Sequence, residues 1–397
     1  MIHTMNLYKK NNTYGELKSV VLGSYYYPDY FKYIKNSAVR EPLMKIAEEI
    51  NQDLDQFENF LKTKNVKVIR PTLPGVDQFN GYIETHQQLP TPPLQPRNNH
   101  SVIGNELYKL DCAVPEIDQC LLQYNATTVD LLTKNKEFYQ KSIQSNSDCF
   151  HNGTWFSKQK YQELAGPDWP QFEHYVQGAV ASLSHIQQEI DSFQSVLKYN
   201  NRDFGPLLGP NIFPTDQGIV VDSNEYCNYA GWASENITDQ KPYISISTGA
   251  GHTDGCFIVL GHNTILGIDL LINYKKYFPG YTVIPVPDKN YMDHVQSFSQ
   301  MKSLVGGRWW VDGAEHNFDF INFVENYCSA WTGYVQETVF DVNVFAIDPD
   351  TVCVSNANQS IIDQLHCRGI NAVVIPWRHR FFVDGGLHCI TLDLYRE

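Results

Sequence analysis

One small unit recurs along the 397 residues: a short apolar run, a turn rich in Gly, Asp or Asn, and a second short apolar run. It stands at Val20–Ser24, Ser101–Leu107, Ile219–Tyr226, Phe257–Leu266 and Val344–Val354. Short apolar runs bounded by turn formers read as strands. Repetition of one strand–turn–strand unit points to an internally repeated architecture rather than to unrelated domains. Between these units, residues 41–65 carry Leu43, Ile46, Ile50, Leu54, Phe57 and Leu61 at helical spacing, and a strand follows at Val66–Arg70, stopped by Pro71. Strand, helix and strand in that order open an α/β fold. Helices are also predicted over Gln171–Leu197 and Ser360–Arg368, and a hairpin turn at Asp348-Pro349-Asp350. Residues 111–170 are less regular and rich in aromatics, and are expected as an insert or lid within a single domain spanning 1–397.

The chain is 42% hydrophobic and 13% aromatic, enough for a large core, which excludes a disordered polypeptide. Its net charge of −14 argues against a nucleic-acid or anionic-membrane binder and favours the approach of small cations. Residues 1–10 lack the apolar stretch of a signal peptide, and no uninterrupted apolar run reaches the ~18 residues a membrane helix needs. Nine cysteines, an odd number with no C-x-x-C pair, suit a reduced chain better than a disulfide framework or a zinc site. The expectation is a cytoplasmic protein without metal or cofactor.

Two stretches carry the candidate chemistry. In Val383-Asp384-Gly385-Gly386-Leu387-His388-Cys389, two glycines permit a tight turn ahead of a β-rich run from Leu387 to Leu394. A cysteine there can face a cleft as a nucleophile, or sit as a small buried hydrophobe. In Gly249-Ala250-Gly251-His252-Thr253-Asp254-Gly255-Cys256, the His and Asp fall at i and i+2. In a strand-like segment such residues share a face, and histidine is the usual proton partner of a thiol. A locally hydrogen-bonded loop histidine remains the plain alternative.

Together, the His-x-Asp loop and the Gly-Gly-x-His-Cys stretch resemble the pentein superfamily, and within it the arginine:glycine amidinotransferase branch. The resemblance extends through Tyr14-Gly15-Glu16-Leu17-Lys18-Ser19-Val20-Val21-Leu22-Gly23, Gln95-Pro96-Arg97-Asn98, and the run from Asn343 to Cys389. It implies an α/β-propeller of about five ββαβ modules around a pseudo-fivefold axis. It further implies Cys389 as the nucleophile that takes an amidino group from a guanidino donor, with His252 and Asp254 as catalytic partners and an amine as acceptor. In deiminase relatives water replaces the amine. The resemblance places Asn98, Arg97, Leu208, Asn211, Gly386 and His388 at substrate-binding positions, and the expectation extends to a homodimer.

The sequence departs from the pattern where the family holds its cation. Asp254 matches one family carboxylate, but the Pro-Arg-Asp motif reads Pro96-Arg97-Asn98 and a further Asp falls on Leu208. No arginine near Leu271 replaces the one that grips the donor carboxylate. Charge-assisted bonds are about twice as strong as neutral ones. Either Asp203, Asp216 or Asp222 therefore moves in, or the substrate carries a ureido, amide or amidine group. Arg378 and Arg380 are further candidates for a substrate carboxylate. Three readings follow: an amidinotransferase, a hydrolase of a guanidino or neutral C–N substrate, and a non-catalytic binding protein.

Overall fold

The computed structural model describes residues 7–110, 114–125, 207–223, 229–237, 241–248, 252–268, 272–286, 309–332, 341–356 and 358–397, with short pieces at 140, 148–151, 154–157, 163 and 197–199. The chain divides into two compact units, 1–7 with 121–197 and 8–120 with 198–397. In the first, the hairpin Asp148–His151 with Thr154–Ser157 is described. The helix expected over Gln171–Leu197 lies outside the described residues except at Leu197, which begins a strand. So does most of the expected insert at 111–170.

The second unit holds five three-stranded sheets. Thr391–Arg396 pairs antiparallel with Leu17–Leu22, which pairs parallel with Lys67–Ile69. Ile212–Pro214, Ile219–Asp222 and Tyr243–Ile246 repeat that antiparallel-then-parallel order. Phe257–Leu260, Thr264–Ile268 and Thr282–Val286 do so again, as do Phe345–Asp348, Thr351–Val354 and Asn371–Val374. The remaining sheet joins His100–Ile103, Glu106–Lys109 and Leu197–Tyr199. Parallel neighbours need a crossover. Ser37–Thr63, Tyr229–Asn236, Tyr274–Tyr277 and Gln359–Cys367 supply it in the four sheets just compared. Of the five sequence repeats, Ser101–Leu107, Phe257–Leu266 and Val344–Val354 fall on hairpins of these strands, Val20–Ser24 covers the end of one strand, and Ile219–Tyr226 begins on a strand and runs outside the described residues.

The long helix Ser37–Thr63 shows how local chemistry sets the frame. Asn36 caps it by accepting from the Ala38 N–H. Pro42 inside the helix has no N–H for the Ala38 carbonyl, and the Asn317 amide nitrogen donates to that carbonyl at 2.6 Å instead. Its buried face, Leu43, Ile46, Ile50, Leu54, Phe57 and Leu61, packs in one core with Trp309, Phe345 and Phe382. Among the described residues no helix is long and apolar enough to cross a membrane.

A turn stands just before the first strand of every sheet. Pro96–Asn98 precedes His100–Ile103, Gly209–Asn211 precedes Ile212–Pro214, and Thr253–Gly255 precedes Phe257–Leu260. Asn343 lies two residues before Phe345, and Cys389 two before Thr391. The expected strand Leu387–Leu394 therefore begins later, at Thr391. Residues 387–390 form turns, because Ile390 N–H bonds Gly386 O, Thr391 N–H bonds His388 O, and the amides of His388 and Cys389 go to a side chain.

Candidate active site

The turn that carries Cys389 is tied at nearly every backbone group. Asp384 adopts a left-handed conformation, φ 47°. Gln95 Nε2 donates to Val383 O at 2.7 Å and to Asp384 O at 3.1 Å, and Trp377 Nε1 donates to Gly385 O at 2.6 Å. Arg97 Nε donates to His388 O at 3.0 Å. The two glycines are required by close approach. A Cβ on Gly385 would lie 2.7 Å from Gln95 Nε2, and one on Gly386 would lie 2.6 Å from Asn343 Oδ1.

His252 and Asp254 reach this turn from a 3₁₀ turn, Thr253–Gly255, rather than from one face of a strand; His252 precedes it in extended conformation. The turn is held from below. Thr253 N–H donates to Asn211 Oδ1 at 2.9 Å, and Thr253 Oγ1 donates to Asp222 Oδ2 at 2.7 Å. Asp254 Oδ2 then meets His388 Nδ1 at 2.7 Å and Cys389 Sγ at 3.6 Å. Asp254 Oδ1 is buried without a hydrogen-bond partner. A ring nitrogen of His252, a carboxylate oxygen of Asp254 and Cys389 Sγ lie within 4.8 Å of one another. Such a His, Asp and Cys set has the donor types that bind zinc.

The electrostatics follow from burial. Burial is the largest influence on the Cys389 thiol and pushes it well above its ordinary value; the Asp254 charge adds to this. Burial alone would raise Asp254, but the hydrogen bond from His388 and the charges of His388, His252 and Arg97 bring it down to about 2. His388 is pushed down to about 4 by burial and by Arg97, against the pull of Asp254. His388 is thus neutral near pH 7, donating Nδ1–H to an ionised Asp254. Behind it lies a buried cluster in which Asp393 accepts from Lys10 at 3.0 Å, Arg97 at 2.6 Å and Arg396 at 2.6 Å.

Several expected substrate positions take other roles. Arg97 is 3% exposed and its guanidinium is engaged by Asp393 and by His388 O in the turn that carries Cys389. His388 is buried against Asp254, Asn211 holds the Thr253 turn, and Gly386 packs on Asn343. Arg378 is bound to Asp53 and to Glu49 O, and Arg380 to Trp377 O, so neither is a free cation of the cleft. Leu208 is half-buried, with its N–H on the Tyr229 hydroxyl. Asn98 keeps the expected character: its amide nitrogen donates to Gln95 Oε1 at 2.6 Å, while its Oδ1 is buried and unpartnered.

Of the acids considered above, Asp216 and Asp222 are engaged by other residues. Asp216 accepts from the Tyr14 hydroxyl and from Asn12, and Asp222 from Thr248 and Thr253. Asp203 lies outside the described residues. Sequence reasoning missed Asn343, Gln95 and Asp393. A usable signal existed for Asn343, since it stands two residues before its strand, as Asn98 and Cys389 do.

No protein-family model matches the chain, and no curated protein matches it by sequence. Among solved structures, the inosamine-phosphate amidinotransferase of Streptomyces griseus is 13% identical, with a TM-score of 0.53 over 98% of this chain and 97% of that one. This chain has an amidinotransferase-type fold. An amidinotransferase of the saxitoxin biosynthetic pathway from Microseira wollei is 12% identical, also with a TM-score of 0.53, over 98% of each chain. At these identities the likeness is one of fold, and at that level it agrees with the pentein, amidinotransferase-like resemblance drawn from the motifs. The amidinotransferase-type fold thus carries His252, Asp254 and Cys389 on turns that precede two different sheets.

Proposed function

We propose that this protein is a cysteine-dependent enzyme that moves an amidino group from a guanidino donor to an amine acceptor through a covalent intermediate on Cys389. The observation that carries this reading is the convergence of His252, Asp254 and Cys389 within 4.8 Å. We infer that the five sheets stand around a pseudo-fivefold axis, with their pre-strand turns at its centre. The free thiol is held protonated by burial and by the Asp254 charge. A cation seated on the open Asp254 Oδ1 offsets that charge and favours the thiolate. The thiol proton passes to His252, sulfur attacks the central carbon, the S–C bond forms, the donor C–N bond breaks, and His252 passes that proton to the leaving amine. In the second half the acceptor nitrogen attacks, His252 takes its proton, the S–C bond breaks, and the proton returns to sulfur. The described cysteines are free thiols, which fits the reducing cytoplasm.

A second reading, hydrolysis or transfer on a ureido, amide or amidine substrate, is favoured by one observation. Asn98 and Leu208 are neutral, and Asp254 is the described carboxylate that reaches Cys389. Intact-mass spectrometry after incubation with arginine, beside Cys389→Ala, tests both. One amidino adduct on the wild type alone supports the first reading. No adduct, with Cys389 still alkylated selectively, removes arginine as donor and directs the same assay to ureido, amide and amidine compounds. No modification of Cys389 by arginine or by any of these compounds overturns both.

A further inference from the structure

Asn343 is fully buried, and all of its amide's hydrogen-bonding capacity is directed at the nucleophile and its neighbours. Its Oδ1 accepts the backbone N–H of His388 at 3.0 Å and of Cys389 at 3.1 Å. Its Nδ2 donates to Cys389 Sγ at 3.1 Å and to Asp254 O at 3.2 Å. A side-chain amide has two donors and one oxygen with two lone pairs, so these four bonds exhaust it. They also fix its orientation. Two backbone N–H groups require the oxygen on their side, which leaves the nitrogen facing sulfur. Gly386 closes on the same amide so tightly that a Cβ would sit 2.6 Å from Oδ1.

We propose that Asn343 is a catalytic residue, an amide that sets the Cys389 backbone and donates a hydrogen bond to its sulfur when that sulfur carries negative charge. The proposal rests on the reading of Cys389 as the nucleophile. A thiol sulfur is a weak acceptor, whereas a bond to an ionised partner is about twice as strong as a neutral one. The bond therefore strengthens as the thiolate forms and weakens in the uncharged thioether. It strengthens again when sulfur departs as the leaving group. An interaction that grows with the developing charge lowers barriers rather than merely binding. Nearby Asp254 opposes ionisation, and Asn343 stands across from that opposition.

The test is the pH profile of Cys389 alkylation by iodoacetamide, followed by mass spectrometry of the Cys389 peptide in the absence of substrate. Asn343→Asp keeps an oxygen for both backbone N–H groups but replaces the donor facing sulfur with an anion. The expected result is a midpoint at least about one pH unit higher, equivalent to alkylation about tenfold slower at a fixed pH below it. Asn343→Ser, smaller and unable to reach the sulfur, moves the profile in the same direction by less. An unchanged profile in a folded variant overturns the proposal and leaves the amide as a backbone peg. Should both variants fail to fold, wild-type protein labelled with nitrogen-15 at its asparagine amides serves instead. One side-chain NH₂ resonance must then shift with the Cys389 titration and remain still in Cys389→Ala; absence of such a resonance overturns the proposal. Because these readouts need no substrate, a failed arginine adduct does not touch them. A Cys389 that forms no adduct with guanidino, ureido, amide or amidine compounds instead overturns the function on which the proposal rests.

Discussion

Replacing Asp393 by Asn perturbs the buried charges behind the Cys389 turn with almost no change of shape. The carboxylate accepts three cationic donors at 2.6 to 3.0 Å, and every partner is nearly inaccessible. The amide retains one oxygen, presents N–H groups to a cation, and loses the only negative charge those three cations share. Breaking a buried pair costs about 3–5 kcal/mol, so the variant should be about 4 kcal/mol less stable near pH 6. Lys10 makes the loss depend on pH. Burial has already lowered its ammonium group to about 7, with Asp393 the largest influence raising it. A lysine whose folded pKa lies below its unfolded value of about 10.4 takes up a proton on unfolding, so stability rises with pH across that window. In the wild type the window opens at about 7; without Asp393 it opens lower. The deficit therefore shrinks on going from about pH 6 to about pH 9, by up to about 1.4 kcal/mol, because pH 6 lies one unit below the wild-type value of about 7. Urea titrations at both pH values, followed by the fluorescence of the buried tryptophans, measure it. A deficit that is the same at both, or below about 1 kcal/mol, would refute the view that Asp393 neutralises this cluster.

Asp254→Asn separates reactivity from turnover. The carboxylate lies 3.6 Å from Sγ, a repulsion of about 4 kcal/mol at an effective dielectric near 20. Its removal should speed Cys389 alkylation near pH 7 by at least about tenfold while abolishing adduct formation with a cationic donor; unchanged alkylation contradicts the assigned cause of the raised thiol. Alanine at two glycines should act with opposite signs. At Gly386 the new Cβ meets Asn343 at 2.6 Å, costing about 1–3 kcal/mol. At Gly81, inside the helix Val76–Glu84, it meets nothing within 4 Å and should stabilise by about 0.4–1 kcal/mol. Thermal midpoints decide both, and equal shifts would contradict the packing described.

The strand–turn–strand units at Ser101–Leu107, Phe257–Leu266 and Val344–Val354 were legible because short apolar runs and turn residues are local signals. His252, Asp254 and Cys389 were legible because glycines mark tight turns in any sequence. What could not be read was which polar groups satisfy one another across sheets. Arg97 looked like a ligand for substrate because nothing near it in the sequence reveals Asp393, 296 positions away. The strand expected from Leu387 began four residues late because the side chain of Asn343 took backbone N–H groups that local propensity assigned to a ladder. Asn98 donates to Gln95, which in turn donates to the backbone of the turn that carries Cys389.

The pairing of Leu17–Leu22 with Thr391–Arg396 has a consequence for the order in which this protein comes into being. During synthesis the early strand emerges long before its partner, with roughly 370 positions between them. At about 5–20 residues per second, that is a wait of roughly 20 to 70 seconds. Throughout it an apolar edge needs shelter from other chains. The Cys389 turn directly precedes the late strand, so the step that seals that edge also sets Cys389 in its frame beside Asp254. A nascent chain halted earlier would lack that contact, which would form only when the first sheet is complete.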